Sequence, residues 1–167
     1  MIPVSLTSPA CLPRELVASP VFLLGRLGVE LKRRAADDLE AAGFSVYDYS
    51  VLALLAQGAC PGQMAMADVL KFDRSQLVGL LDGLEERGLI ERRRDPNDRR
   101  RHTVTLTAEG QRQLTRLRAV VKQIEEEFLE PLDGESREQL HALLVTLATH
   151  HDARFAPPAA AAAAAAG

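Results

Sequence analysis

The chain has 167 residues, enough for one domain with a buried core and little room for two. Its apolar fraction of 47% and charged fraction of 26% are those of a globular protein rather than a low-complexity or membrane-embedded one. A formal net charge of -3 excludes a general polycation, so a nucleic-acid partner would have to be met by locally concentrated basic charge. Aromatics are scarce and Trp is absent, which leaves the core to Leu, Val and Ala, and Leu and Ala favour helices. Cys11 and Cys60 form neither a disulfide framework nor a metal spacing. The adjacent His150 and His151 read as a solvated helix end, so no metal site is expected. There is no basic segment followed by an apolar run at the start, and no run approaches the ~20 apolar residues of a membrane span. A cytoplasmic protein without membrane contact is expected.

Residues 1–18 carry three prolines without periodicity and read as a flexible, extended arm. Ser19-Pro20 has the pattern of an N-cap followed by proline at the first helical position. Leu24, Leu27, Leu31, Ala35 and Leu39 then recur at steps of three and four, which predicts an amphipathic helix within 19–44 that ends at Gly43. Ser45 to Asp48 has capping-box spacing and opens a second helix, broken near Gly58 and Cys60-Pro61-Gly62. A short helix over about 63–70 and a tight turn at Lys71-Phe72 follow. Asp73 to Gln76 again has capping-box spacing and opens a helix that ends at Gly88.

Next come two short runs, Leu89 to Arg93 and the alternating, β-branched His102 to Leu106, around a Pro-Asn turn; they predict a hairpin. Thr107 is placed to cap a long helix whose Leu114, Leu117, Val121, Ile124 and Phe128 are spaced like a coiled-coil stripe, and Pro131 ends it. A last helix over about 135–154 carries Leu140, Leu143, Leu144 and Leu147 on one side. These last two helices make a C-terminal segment over 108–155. Residues 156–167 form a Pro/Ala tail of low complexity, expected to be disordered.

The middle of the chain, 45–107, therefore reads as a helix-turn-helix with a β-wing, in a fold that is mainly α with one small hairpin. In such units the second helix of the pair enters the major groove. Here that helix is Arg74 to Arg87. Leu77, Leu80, Leu81 and Leu84 share its inner face, while Ser75, Gly79, Asp82 and Glu86 share the outer one, flanked by Gln76, Val78 and Gly83. Ser75 and Gln76 lie in the first turn, where free N–H groups and the positive dipole end favour phosphate. Gly79 and Gly83 weaken the helix and are explained by close approach of backbone to DNA or by no selection at all. Asp82 and Glu86 repel phosphate, so the far half of the helix is expected to tilt away from a duplex. Arg92 to Arg101 places six arginines and two aspartates on the hairpin, a basic finger beside the recognition helix. Guanidinium at a wing tip suits the negative potential of the minor groove.

The run from Leu70 to Ile90, Arg94-Asp95-Pro96-Asn97-Asp98-Arg99-Arg100, and Leu106-Thr107-Ala108-Glu109-Gly110 resemble the MarR family of bacterial winged helix-turn-helix transcriptional regulators, over about 20–150. The resemblance implies that Arg100 probes the minor groove, that Asp98 orients it, and that Ser75, Gln76 and Val78 occupy recognition positions. With Arg74, Gly79, Arg93, Arg94, Arg99 and Arg101 they make the expected DNA-binding set. Gly79 stands where the family often has a polar or basic residue, which shifts weight to the wing and to phosphate contacts. The resemblance also implies a two-fold homodimer built from the first and last two helices, with Leu24, Leu27, Leu31, Leu117, Val121, Ile124, Phe128, Leu140, Leu144 and Leu147 as its candidate contacts. It implies a repressor released from a pseudo-palindromic, double-stranded operator by a small aromatic or anionic effector. Candidate pocket residues are Arg26, Tyr47, Tyr49 and Arg92, the last matching a position that binds an aromatic carboxylate in some relatives.

A thiol-sensing branch of the family carries its cysteine near the start of the first helix. That place falls near Pro20, so Cys11 and Cys60 do not match it, and a thiol-based redox-sensing regulator is left as an alternative. No Gly-rich phosphate loop, nucleophile elbow or carboxylate pair is present, so neither an enzyme nor a cofactor is expected. The rival reading is a winged helix that binds protein; it does not call for six arginines on the hairpin.

Overall fold

The computed structural model describes residues 11–58, 63–94 and 102–156. In chain order the elements are α1 (Arg14–Val17), α2 (Pro20–Ala41), α3 (Val46–Ala56), α4 (Gln63–Leu70), α5 (Arg74–Glu86), β1 (Ile90–Arg94), β2 (His102–Leu106), α6 (Ala108–Phe128) and α7 (Gly134–His151), then a 3-10 turn at Ala153–Phe155. The fold is mainly helical, with one antiparallel two-stranded sheet among the described residues. Among the described residues of the arm, Arg14–Val17 form a single helical turn instead of an extended segment, too short to leave a periodic signature. Residues 1–10, Cys60 with its turn, and the tail from Pro157 lie outside the described residues. Among the described residues no single helix is long and apolar enough to cross a membrane, and no cluster of three metal-binding side chains occurs.

The helix starts follow from their caps. The Ser19 hydroxyl accepts from the Phe22 N–H with Pro20 at the first helical position. Ser45 and Asp48 close a full capping box, the Asp48 N–H donating to Ser45 Oγ at 3.0 Å and the Ser45 N–H to Asp48 Oδ2 at 2.8 Å. Such reciprocal caps satisfy N–H groups that the helix itself leaves orphaned. Thr107 Oγ1 accepts from the Gly110 N–H at 3.0 Å and opens α6. At the end of α5 the Leu89 N–H returns to the Leu84 carbonyl and the Gly88 N–H to Glu85, with Gly88 at φ 68°. That left-handed residue is the reason for glycine at this position. Lys71 adopts the same region, at φ 55°, in the turn between α4 and α5.

Met1–Ile124 form one compact unit. Its core gathers Leu39 from the end of α2, Phe44, Val51 and Leu52, Met66, then Leu77, Leu81 and Leu84 from α5, Leu89, Ile90 and Val104 from the wing, and Leu114 and Leu117 from α6. Full burial of one leucine stabilises by about 1.5–3 kcal/mol, and α5 contributes three nearly inaccessible ones. Glu125–Gly167 form a second unit. There Asp133 caps α7 through the Ser136 N–H at 2.8 Å, and Arg137 Nε donates to the Leu132 carbonyl at 3.0 Å. No residue of α7 is buried.

Candidate nucleic-acid interface

The three buried leucines fix which side of α5 faces outward. Arg74, Ser75, Val78, Gly79, Asp82 and Glu86 are exposed along it, Gln76 is half-buried, and Leu80, expected in the core, is only half-buried. Asp73 precedes the helix with extended backbone, and its Oδ1 accepts from the Gln76 N–H at 2.9 Å and from the Ser75 hydroxyl at 2.6 Å. The Ser75 hydroxyl, then the Gln76 N–H, hold the Asp73 carboxyl below its ordinary range, so it stays charged near neutral pH. Ser75 spends its proton on Asp73 and keeps its lone pairs outward; it can accept from a base amine. A Cβ built on Gly79 or Gly83 meets nothing within 4 Å. Packing inside the chain therefore does not require glycine at either position.

The wing pairs Ile90 with Leu106, Glu91 with Thr105, Arg92 with Val104, Arg93 with Thr103 and Arg94 with His102. Side chains alternate across such a ladder, and this alternation separates the arginines that the sequence runs together. Ile90 and Val104 are buried, and Arg92, opposite Val104, faces the same side. Arg93 points outward, its side chain 75% exposed, and pairs with Glu91 at 3.0 Å. Asp98, Arg99, Arg100 and Arg101 lie outside the described residues.

Arg92 is bound to α5. Its backbone N–H donates to Glu85 Oε1 at 3.0 Å, its Nε to Glu85 Oε2 at 2.8 Å and its Nη2 to Asp82 Oδ1 at 2.5 Å. Glu85 and then Asp82 raise the Arg92 pKa further. Asp82 is therefore paired rather than bare, although it shares one guanidinium with Glu85 and the cluster stays net negative. Sequence reasoning missed Glu85. The signal was there, since Asp82 and Glu85 are three apart on one helix side and precede an arginine-rich strand. Arg87, also missed, ends α5. Its guanidinium lies 4.0 Å from the Phe44 ring centroid and donates to the Gly43 carbonyl at 3.0 Å, tying the helix to the corner between α2 and α3. A third missed contact is Gly110, whose missing Cβ lets α6 start against the Leu89 carbonyl. Thr107 seals that contact by donating its hydroxyl to the Gly88 carbonyl at 2.7 Å.

The expected effector residues are dispersed. Tyr47 is 44% exposed and meets Phe72 edge to face at 5.2 Å, while Tyr49 packs against the core. Two residues apart on α3, they diverge by about 200° and do not line one wall. Arg26 is exposed on α2, and Arg92 is held by its two carboxylates. The expected dimer residues divide likewise. Leu24, Leu27 and Leu31 on α2, and Leu144 and Leu147 on α7, are exposed; Val121, Phe128 and Leu140 are half-buried. Leu117 is fully buried and Ile124 nearly so, which leaves them little surface for a second copy. A stripe of three and four reads identically whether it packs within a chain or between chains, and these two pack within it.

A capped, outward-facing helix preceded by a tight turn and followed by a two-stranded wing defines a winged helix-turn-helix of the DNA-binding kind. The MarR family profile matches residues 44–102. The transcriptional regulator HosA of Escherichia coli O111:H- is 36% identical over 90 residues, 54% of this chain and 67% of that protein. The crystal structure of CouR from Rhodococcus jostii RHA1 bound to p-coumaroyl-CoA is 34% identical with a TM-score of 0.66, over 81% of this chain and 96% of that one. The transcriptional repressor CouR bound to a 23-mer DNA duplex is 30% identical with a TM-score of 0.73, over 84% of this chain and 99% of that one. The chain belongs to the MarR family and is a DNA-binding transcriptional regulator.

Proposed function

We propose that this regulator binds a pseudo-palindromic operator as a homodimer and represses until a small aromatic or anionic effector releases it. The observation that carries the dimer is uncovered apolar surface: Val21, Leu24, Leu27 and Leu31 on α2, and Leu143, Leu144 and Leu147 on α7, are all at least 37% exposed. A second copy is the occupant that also brings two recognition helices to one duplex. Repression and an effector are supported by CouR, named a transcriptional repressor in its DNA complex and solved with p-coumaroyl-CoA, an aromatic acyl thioester. Arg74, Ser75, Gln76, Val78 and Gly79 read the major groove in this account. Arg93, Arg94, Arg99, Arg100 and Arg101 grip phosphate or minor groove, with Asp98 orienting Arg100. Arg26, Tyr47 and Tyr49 are the residues to vary first for effector response.

The test is fluorescence anisotropy on duplexes selected by the protein from a random pool. Arg100→Ala should weaken binding to the selected duplex while helix content and dimer mass stay unchanged. Aromatic acids and their thioesters should release the wild type. Wild-type affinity in Arg100→Ala would remove the wing from the account, and no release across the panel would remove the effector.

A further inference from the structure

We propose that Arg92 is a positioning residue for DNA reading: clamped by Asp82 and Glu85, it fixes the angle between recognition helix and wing so that both grooves are read in register. The inference rests on α5 being the recognition helix and the hairpin being a DNA-contacting wing. Between Glu86 and Ile90 the chain runs through only Arg87, Gly88 and Leu89, with Gly88 in the left-handed region. The wing itself is a two-stranded ribbon, a structure marginal on its own. Packing of Ile90 and Val104 against the core holds its base. The hydrophobic driving force is non-directional, and the forked ion pair adds a directional constraint to the packing.

The clamp has that geometry. Glu85 offers one oxygen to the Arg92 backbone and the other to its side chain, so strand and side chain are fixed by one carboxylate. Asp82 accepts from Nη2, which also lies 2.6 Å from Glu85 Oε2, so both acids converge on one side of the guanidinium. The Arg92 side chain is 21% exposed against 75% for its neighbour Arg93. It is therefore less screened by salt and not presented to phosphate. The strand period assigns these two adjacent arginines opposite tasks, Arg92 inward to the helix and Arg93 outward.

Neutralising the two acids separates this role from simple electrostatics. Asp82→Asn/Glu85→Gln removes two negative charges from the reading side of the molecule. Charge alone then predicts tighter binding to every duplex and an unchanged ratio of selected-duplex to random-duplex affinity. The clamp predicts a fall in that ratio of roughly tenfold, within the coupling found for residues of one ion-pair network. Arg92→Gln should lower it similarly, and Arg92→Lys, which reaches a carboxylate without the fork, should recover part of it. Full-length proteins are compared by anisotropy at a temperature where circular dichroism shows each variant folded, so a purely structural role leaves the ratio alone. An unchanged ratio in folded Arg92→Gln overturns the proposal. So does an equal loss on both duplexes with the salt slope shallower by about 0.9, because Arg92 would then be gripping a phosphate itself. Failure of the wild type to select any sequence would overturn the DNA-reading assignment, and the proposal with it; selection by the wild type with unaffected variants would overturn the proposal alone.

Discussion

Helices α5 and α2 carry similar leucine spacing and meet opposite fates. The 13 residues of α5 bury Leu77, Leu81 and Leu84. The 22 residues of α2 bury Leu39 alone, at the end that joins the core, and leave Val21, Leu24, Leu27 and Leu31 exposed. An amphipathic stripe specifies that a face will be covered and is silent on what covers it. The lobe around α5 buries its leucines within its own unit, while α2 keeps an exposed apolar face among the described residues. Stability should therefore respond to the first region and assembly to the second.

A break of the same order as the loss of a buried leucine would come at Gly110, where the lobe closes on itself. A Cβ there would sit 2.0 Å from the Leu89 carbonyl oxygen and 3.1 Å from Leu106 Cδ2. Gly110→Ala should cost about 3 kcal/mol in urea unfolding, at the upper end for overpacking against backbone. Leu81→Ala should cost about 2–5 kcal/mol because a fully buried side chain leaves a cavity. Leu27→Ala is its counterpart: unfolding of the dilute monomer should shift by less than about 0.5 kcal/mol, while sedimentation equilibrium shows a weaker dimer. Equal destabilisation of the monomer by both leucine variants would erase the distinction between the two helices.

Gly79→Ala should reverse the usual sign. Its Cβ meets nothing inside the chain, so helix propensity alone should add up to about 1 kcal/mol. If the duplex backbone approaches closely there, affinity for a selected duplex falls as the melting temperature rises. A rise in both would leave Gly79 without a role in DNA approach. The smallest effect concerns acid. The Ser75 hydroxyl and the Gln76 N–H hold the Asp73 carboxyl below its unfolded value of about 3.9. Its stabilisation is therefore complete above that value and is lost as pH falls through the lower, folded one. Asp73→Ala should lose stability less steeply than the wild type below about pH 4, as melting curves across the acid range would show.

Much of this was legible in the chain. Ser19, Ser45, Asp73 and Thr107 act as the caps their spacing suggests, because capping is local and needs only a side-chain oxygen two or three residues before a free N–H. The hairpin follows from β-branching and alternation. What the one-dimensional pattern left open was the destination of charge and of apolar stripes. Six arginines read as one basic finger, yet Arg92 is committed to Asp82 and Glu85 while Arg93 stays outward beside Glu91. Leu117 and Leu27 share a spacing and differ wholly in burial. Arg87 meets Phe44 and Gly43 across a separation of more than forty residues. No window along the sequence contains that contact.

A regulator that reads DNA as a pair places two recognition helices on one duplex. The most direct measurement is the mass of the complex formed on a duplex that the protein itself selects, by light scattering across a concentration series. Two chains per duplex are expected, on an inverted repeat whose half-sites lie about one helical turn apart. One chain per duplex, or binding without any enriched sequence, would contradict it.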